Sequence, residues 1–176
     1  MDRLDEIRHY MEKYIAEQVD ISIAAEKKYM SQHIDRIKDK LTVRIRQTLD
    51  ANIRETDKII ICYLYSSIAI GKNELCLIPF GKRPFIEKPE NEIYMDYSEI
   101  LNLAIVNEAE MEKEMRKKFI RILPYEIEEI RREFMYGYSY RIGELLSGIL
   151  SDDEEGIRIF FGTYMGEAAE IGRITV

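Results

Sequence analysis

The sequence predicts an α+β domain: long N-terminal helices, a central β-hairpin, two further helices and a C-terminal β-hairpin, the hairpins forming a small antiparallel sheet covered by helices. Three observations predict it. Apolar residues recur at spacings of three and four from Leu4 to Ile45 and again from Ile100 to Ile149. At Asp57 the composition changes abruptly to the β-branched and aromatic runs "KIIICYLYSSIAI" and "ELCLIPF". After the acidic stretch "SDDEE", the segments "IRIFF" and "EIGRITV" repeat that strand-like character.

The N-terminal helices come first. Ile7, Met11, Tyr14 and Ile15 follow Leu4 at helical spacing, and a second series runs Ile23, Met30, Ile34, Ile37, Leu41, Ile45. On one continuous helix the two stripes are out of phase by roughly 130°. We therefore expect a break at Val19-Asp20-Ile21-Ser22, with Asp20 or Ser22 capping a second helix that reaches about Glu55. Thirty residues at 1.5 Å per residue span about 45 Å, whereas a domain of this length has a radius of gyration near ~16 Å. Such a helix would carry Met30, Ile34, Ile37, Leu41 and Ile45 past the core, and these five become the expected interface of a homo-oligomer.

The central hairpin is expected over 59 to 80, turning about Gly71-Lys72-Asn73, which would not place Cys62 and Cys76 opposite each other. Asp96 and Glu99 have capping-box spacing, so a third helix should follow and end near Leu123. Pro124 then suits the first position of a fourth helix over 124 to 150. Within it lies "EFMYGYSYRIGE", which as a strand would line Phe134, Tyr136, Tyr138, Tyr140 and Ile142 on one face. The series Ile127, Ile130, Phe134, Tyr138, Ile142, Leu145, Ile149 runs straight through it and spans about 120° of helical arc, so the helix reading is preferred. Gly137, Gly143 and Gly148 then imply closely packed neighbours.

The 176 residues, 46% of them hydrophobic, divide into a helical segment, 1–56, and an α+β core, 57–176. Two cysteines without C-x-x-C spacing make no disulfide framework, so reduced thiols and a cytoplasmic location are expected. The first ten residues hold no apolar signal region, and no apolar run approaches the length of a membrane span. The net charge of −7 argues against a general polyanion binder. It is unevenly distributed: residues 27 to 54 carry eight Lys or Arg against three Asp, and residues 142 to 176 carry seven acids against two Arg.

No glycine-rich phosphate loop, H-E-x-x-H, G-x-S-x-G or calcium loop is present, and no cofactor or metal is expected. His33 borders an apolar stripe with no second ligand one turn away, which suits a partly buried helix histidine better than a metal ligand. Arg36, Lys40, Arg44 and Arg54 make a basic flank that would contact nucleic acid, but Asp35, Asp39 and Asp50 lie beside it and favour a salt-bridged edge. Lys72, Lys82 and Arg83 sit on loops with glycines and would suit an anion, although solvated loop charge is the commoner origin of such a cluster. Opposite the apolar stripe of the fourth helix lie Tyr125, Tyr136 and Tyr140, the candidate contacts for a protein partner. The expectation is thus a non-enzymatic interaction protein, self-associating through its N-terminal helices. A nucleic-acid-binding regulator and then an anion- or small-ligand-binding domain are the alternatives.

Overall fold

The computed structural model describes residues 2–52, 56–81, 91–102, 108–150 and 156–176. Helices α1 (Arg3–Gln32) and α2 (Ile34–Asp50) precede strand β1 (Lys58–Tyr63), and the short helix α3 (Tyr65–Ala69) leads into β2 (Glu74–Phe80). Then come β3 (Ile93–Asp96), a single 3-10 turn (Tyr97–Glu99), α4 (Glu108–Met115), α5 (Pro124–Ser147), β4 (Ile157–Thr163) and β5 (Ala168–Ile174). The architecture is α+β, with helices packed on a five-stranded mixed sheet.

Helix α1 begins where the Asp2 carboxylate accepts the Asp5 amide at 2.9 Å, and it runs unbroken through Val19–Ser22, where a break was expected. The phase difference between its stripes is real, but changing neighbours absorb it. Ile7 and Met11 pack with Met111, Met115, Phe119 and Ile130, whereas Val19, Ile23 and Met30 join the main core against α5 and the sheet. A stripe that drifts round a helix needs different surfaces at its two ends and no interruption. The break falls at His33, whose ring stacks on Tyr29 with centroids 4.4 Å apart and whose Nδ1 lies 2.9 Å from the Tyr29 carbonyl. That contact satisfies one of the carbonyls left open at a helix C-terminus.

Because the chain bends at His33 and α2 stops at Asp50, only 17 residues of α2 lie along the sheet, against β2 and β3. Ile37, Leu41 and Ile45 are fully enclosed there and Met30 is buried just before the bend. The expectation that this stripe projects past the core therefore does not hold. Ile34, turned outward by the bend, is 41% exposed.

The strand order is β3-β2-β1-β4-β5. β1 runs parallel to β4 and every other pairing is antiparallel, which corrects the four-stranded antiparallel sheet expected from sequence. The two hairpins meet through a parallel pair because the chain between them crosses over by way of α5. β3 was not foreseen: four residues are too few to show alternation. In the β1–β2 connection α3 takes up residues that a plain turn would have left to the strands, and Gly71 closes it at φ 74. The register consequently sets Cys62 opposite Cys76, a second correction. Ile59, Ile61, Leu75 and Leu77 face the helices, while Ile60, Cys62, Leu64, Cys76 and Ile78 form a separate cluster on the other face. Burial on both faces explains the unbroken apolar run of β1. Both thiols are free, and burial pushes each up to about 12, so they stay protonated.

The third helix is shorter than expected. Asp96 does cap, accepting the Ser98 amide at 2.7 Å, but it starts a 3-10 turn, and α4 covers only Glu108–Met115.

Helix α5 passes straight through "EFMYGYSYRIGE". Its start is fixed by Glu126, a fully enclosed carboxylate that accepts the Leu123 amide at 2.7 Å and the Arg3 Nε–H at 2.6 Å. Two of its glycines stand at close approaches. A Cβ at Gly137 would lie 3.3 Å from Val19 of α1, and one at Gly143 would lie 2.7 Å from the Phe161 ring of β4.

Candidate functional site: a tyrosine-lined groove at the ends of β1 and β4

The central parallel strands end together, with Tyr63 paired to Thr163, and the chain then leaves in different directions, into α3 from β1 and into the β4–β5 turn from β4. Carboxyl ends of parallel strands whose connections diverge leave a crevice that the sheet cannot fill. Here the crevice is closed on one side by α5, and its volume is about 640 Å3.

Aromatic rings line it. Tyr63, 3% exposed, forms the floor, with its ring 5.9 Å from Phe161. Tyr65, the first residue of α3, meets Tyr63 edge-on at 5.5 Å and Tyr136 of α5 edge-on at 5.1 Å. Tyr140, about one helical turn beyond Tyr136, stands at the mouth and is 74% exposed, and Tyr65 is 51% exposed. Burial above all, then the hydrogen bond with Tyr65, raises the Tyr63 phenol, so the floor of the groove is neutral near pH 7. Gly143 keeps the wall low: any larger residue would press on Phe161.

The rim is acidic. Glu144 and Glu167 border the groove, and an adjoining hollow of about 500 Å3 between α5 and β5 shares Gly143, Glu144 and Ile171 and adds Glu170. Glu144 holds Arg141 at 3.1 and 3.2 Å, and Lys27 lies 3.8 Å away. These cations hold its carboxyl below the usual range, so it is ionised near pH 7. On the other side of Tyr140 a hollow of about 590 Å3 between α1 and α5 carries both signs of charge, among them Arg8, Glu12, Asp20 and Arg141.

Of the residues singled out from sequence, Tyr140 lines the groove, while Tyr136 packs against the main core behind it and meets the groove only through the Tyr65 ring. Tyr125 does neither: it is 54% exposed in the first turn of α5, well over two turns before Tyr136. The basic flank is partly occupied within the chain. Arg44 donates to Glu99 at 2.8 and 2.6 Å, Arg36 lies over the Tyr29 ring and donates to its hydroxyl, and Lys40 is exposed. Arg54 lies outside the described residues. Lys72 faces Glu74 at 3.8 Å, while Lys82 and Arg83 lie outside the described residues. The carbonyls at the end of α3 near Lys72 are met by Arg131 and Arg132 of α5, which donate to Ile68 and Ala69 at 3.4 and 3.2 Å.

Sequence reasoning missed Tyr63, Tyr65 and Phe161, which read as strand residues, and the rim acids, which it counted only within the acidic total of residues 142 to 176. The available signal was the pair of tyrosines in "CYLYSS", two aromatic rings at the point where the strand pattern gives out. Among the described residues no group of three His, Cys, Asp or Glu side chains converges to hold a metal, and no helix is long and apolar enough to cross a membrane. Comparison of the chain with protein-family models, with curated proteins and with solved structures finds no match.

Proposed function

We propose that this is a non-enzymatic interaction protein that docks a protein partner in the groove between α5 and the ends of β1 and β4. The observation that carries the reading is the exposure of Tyr140 and Tyr65 on a concave surface, although each ring is large enough to add substantially to a core. Tyrosine suits such a place because it offers a wide apolar face, a hydroxyl and few rotatable bonds. Its enrichment among the residues that dominate binding energy has the same origin. The two buried thiols accord with a reducing, intracellular setting.

Self-association through Met30, Ile37, Leu41 and Ile45 forms no part of this reading, because the chain's own core encloses those side chains. Nucleic-acid binding through α2 is the weaker alternative, since Arg44 and Arg36 already have partners.

The test is native co-purification from the protein's own cells with a C-terminal tag, comparing wild type, Tyr140→Ala and Tyr125→Ala. A partner retained by wild type and Tyr125→Ala and lost by Tyr140→Ala is the expected result. Equal retention by all three would contradict docking in the groove.

A further inference from the structure

Resting on that docking reading, we infer that the occupant of the groove is an extended, arginine-bearing segment of the partner. One guanidinium sits over the Tyr65 and Tyr140 rings and is paired with Glu167.

Charge is the first argument. The groove and its adjoining hollow are bordered by Glu144, Glu167 and Glu170, and no Lys, Arg or His is among the described residues that line them. Two of these acids are neutralised from outside, Glu144 by Arg141 and Lys27 and Glu170 by Arg173 at 3.8 Å. Glu167 is exposed and has no ion pair among the described residues, so its charge is the one left for a ligand. A cation that satisfies it also meets the negative faces of aromatic rings.

Both kinds of cation lie over tyrosine rings in this chain, Lys118 5.2 Å from the centroid of Tyr10 as well as Arg36 over Tyr29, and the arginine contact has a second component. Arg36 lies 5.8 Å from the centroid of Tyr29 and donates to that residue's hydroxyl, so one side chain uses both the ring face and the polar tip. A planar guanidinium stacks and forks in this way, whereas the compact ammonium of lysine stays more strongly hydrated.

Shape argues for an extended chain. The two hollows share Gly143, Glu144 and Ile171 and so form one trough beside β5, the last strand of the sheet among the described residues. A segment laid there reaches the outer edge of β5 for main-chain hydrogen bonds, and alternate side chains point into the trough.

The probe is a blocked eight-residue peptide with arginines at alternate positions, compared with the same peptide carrying neutral citrulline in their place. Binding is followed by calorimetry and by the backbone amide resonances of Tyr65, Tyr140, Gly143 and Glu167. The arginine peptide should shift those resonances, bind at least tenfold more tightly than the citrulline peptide, and weaken as salt is raised. Glu167→Gln should weaken it about five- to tenfold and Tyr140→Ala about two- to fivefold, while Arg46→Gln on α2 should leave it unchanged. Citrulline binding within twofold of arginine, or indifference to Glu167→Gln, overturns the arginine inference and leaves docking in the groove intact. Failure of both peptides to move the groove also overturns it, and the co-purification with Tyr140→Ala decides the docking reading separately.

Discussion

The apolar stripe of α2 and the tyrosines on the second face of α5 looked alike in sequence, each a row of large side chains with no evident cover, yet the fold treats them oppositely. Ile37, Leu41 and Ile45 are enclosed by β2, β3 and the rest of the main core. Tyr140 of α5 is left facing a concave surface, where Tyr65 of α3 joins it. A stripe of aliphatic groups has no use for water and is taken inside wherever the chain can reach it. Tyrosine tolerates the boundary between ring packing and solvent, so its exposure costs little.

Substitutions sharpen that contrast, and the largest effect belongs to α2. Leu41→Ala should cost about 2–5 kcal/mol in urea-induced unfolding, because it leaves a cavity in a packed core. If the loss were under about 0.5 kcal/mol, the stripe would not be the enclosed surface described above. Gly143→Ala should follow at about 1–3 kcal/mol, since its methyl group meets the Phe161 ring and the gain in helix propensity offsets only part of the strain.

Glu126→Gln should cost about 1–2 kcal/mol at pH 7, a figure kept low because its partner Arg3 is half exposed. The Arg3 hydrogen bond, before all else, lowers the Glu126 carboxyl. Its contribution is therefore present above the ordinary carboxylate range and lost as pH falls through the lowered value. The gap between wild type and Glu126→Gln should close in acid. A gap that stayed constant down to pH 2 would show that the charge is not the cause.

Glu26 has the opposite sign. Burial raises its carboxyl, against the lowering effect of the Asn102 amide, from which it accepts a hydrogen bond at 3.0 Å. The proton it retains favours the fold at low pH, and that benefit is lost as pH rises through the raised value. Glu26→Gln should consequently gain on wild type as pH rises above the ordinary carboxylate range in unfolding measurements, and a parallel pair of curves would contradict it. Smallest of all, Tyr140→Ala should change stability by no more than about 0.5 kcal/mol.

How much of this was legible beforehand depends on the range of the interactions involved. The helical course of Phe134 to Ile142 could be read because the apolar series is local and long, and the period was unambiguous over seven positions. The bend at His33 could not, because what holds Val19 to Ser22 in one helix is α5, more than a hundred residues away. The Cys62–Cys76 register depended on five residues of α3 that a strand pattern hides. Tyr136 and Tyr140 were singled out by their position on the helix, whereas Tyr63 and Tyr65 became part of the same surface only through the parallel pairing of β1 with β4. A parallel pair joins distant segments and leaves no local mark in the sequence.

The contrast between the two regions is tested most directly by a photo-cross-linking residue placed in turn at position 140 and at Val43, which is 50% exposed on α2, in the protein's own cells. A discrete adduct of one added mass at position 140, with none at Val43, is the result expected if α5 presents a docking surface and α2 only closes the core. An adduct at Val43 with none at position 140 would reverse those roles and contradict the account.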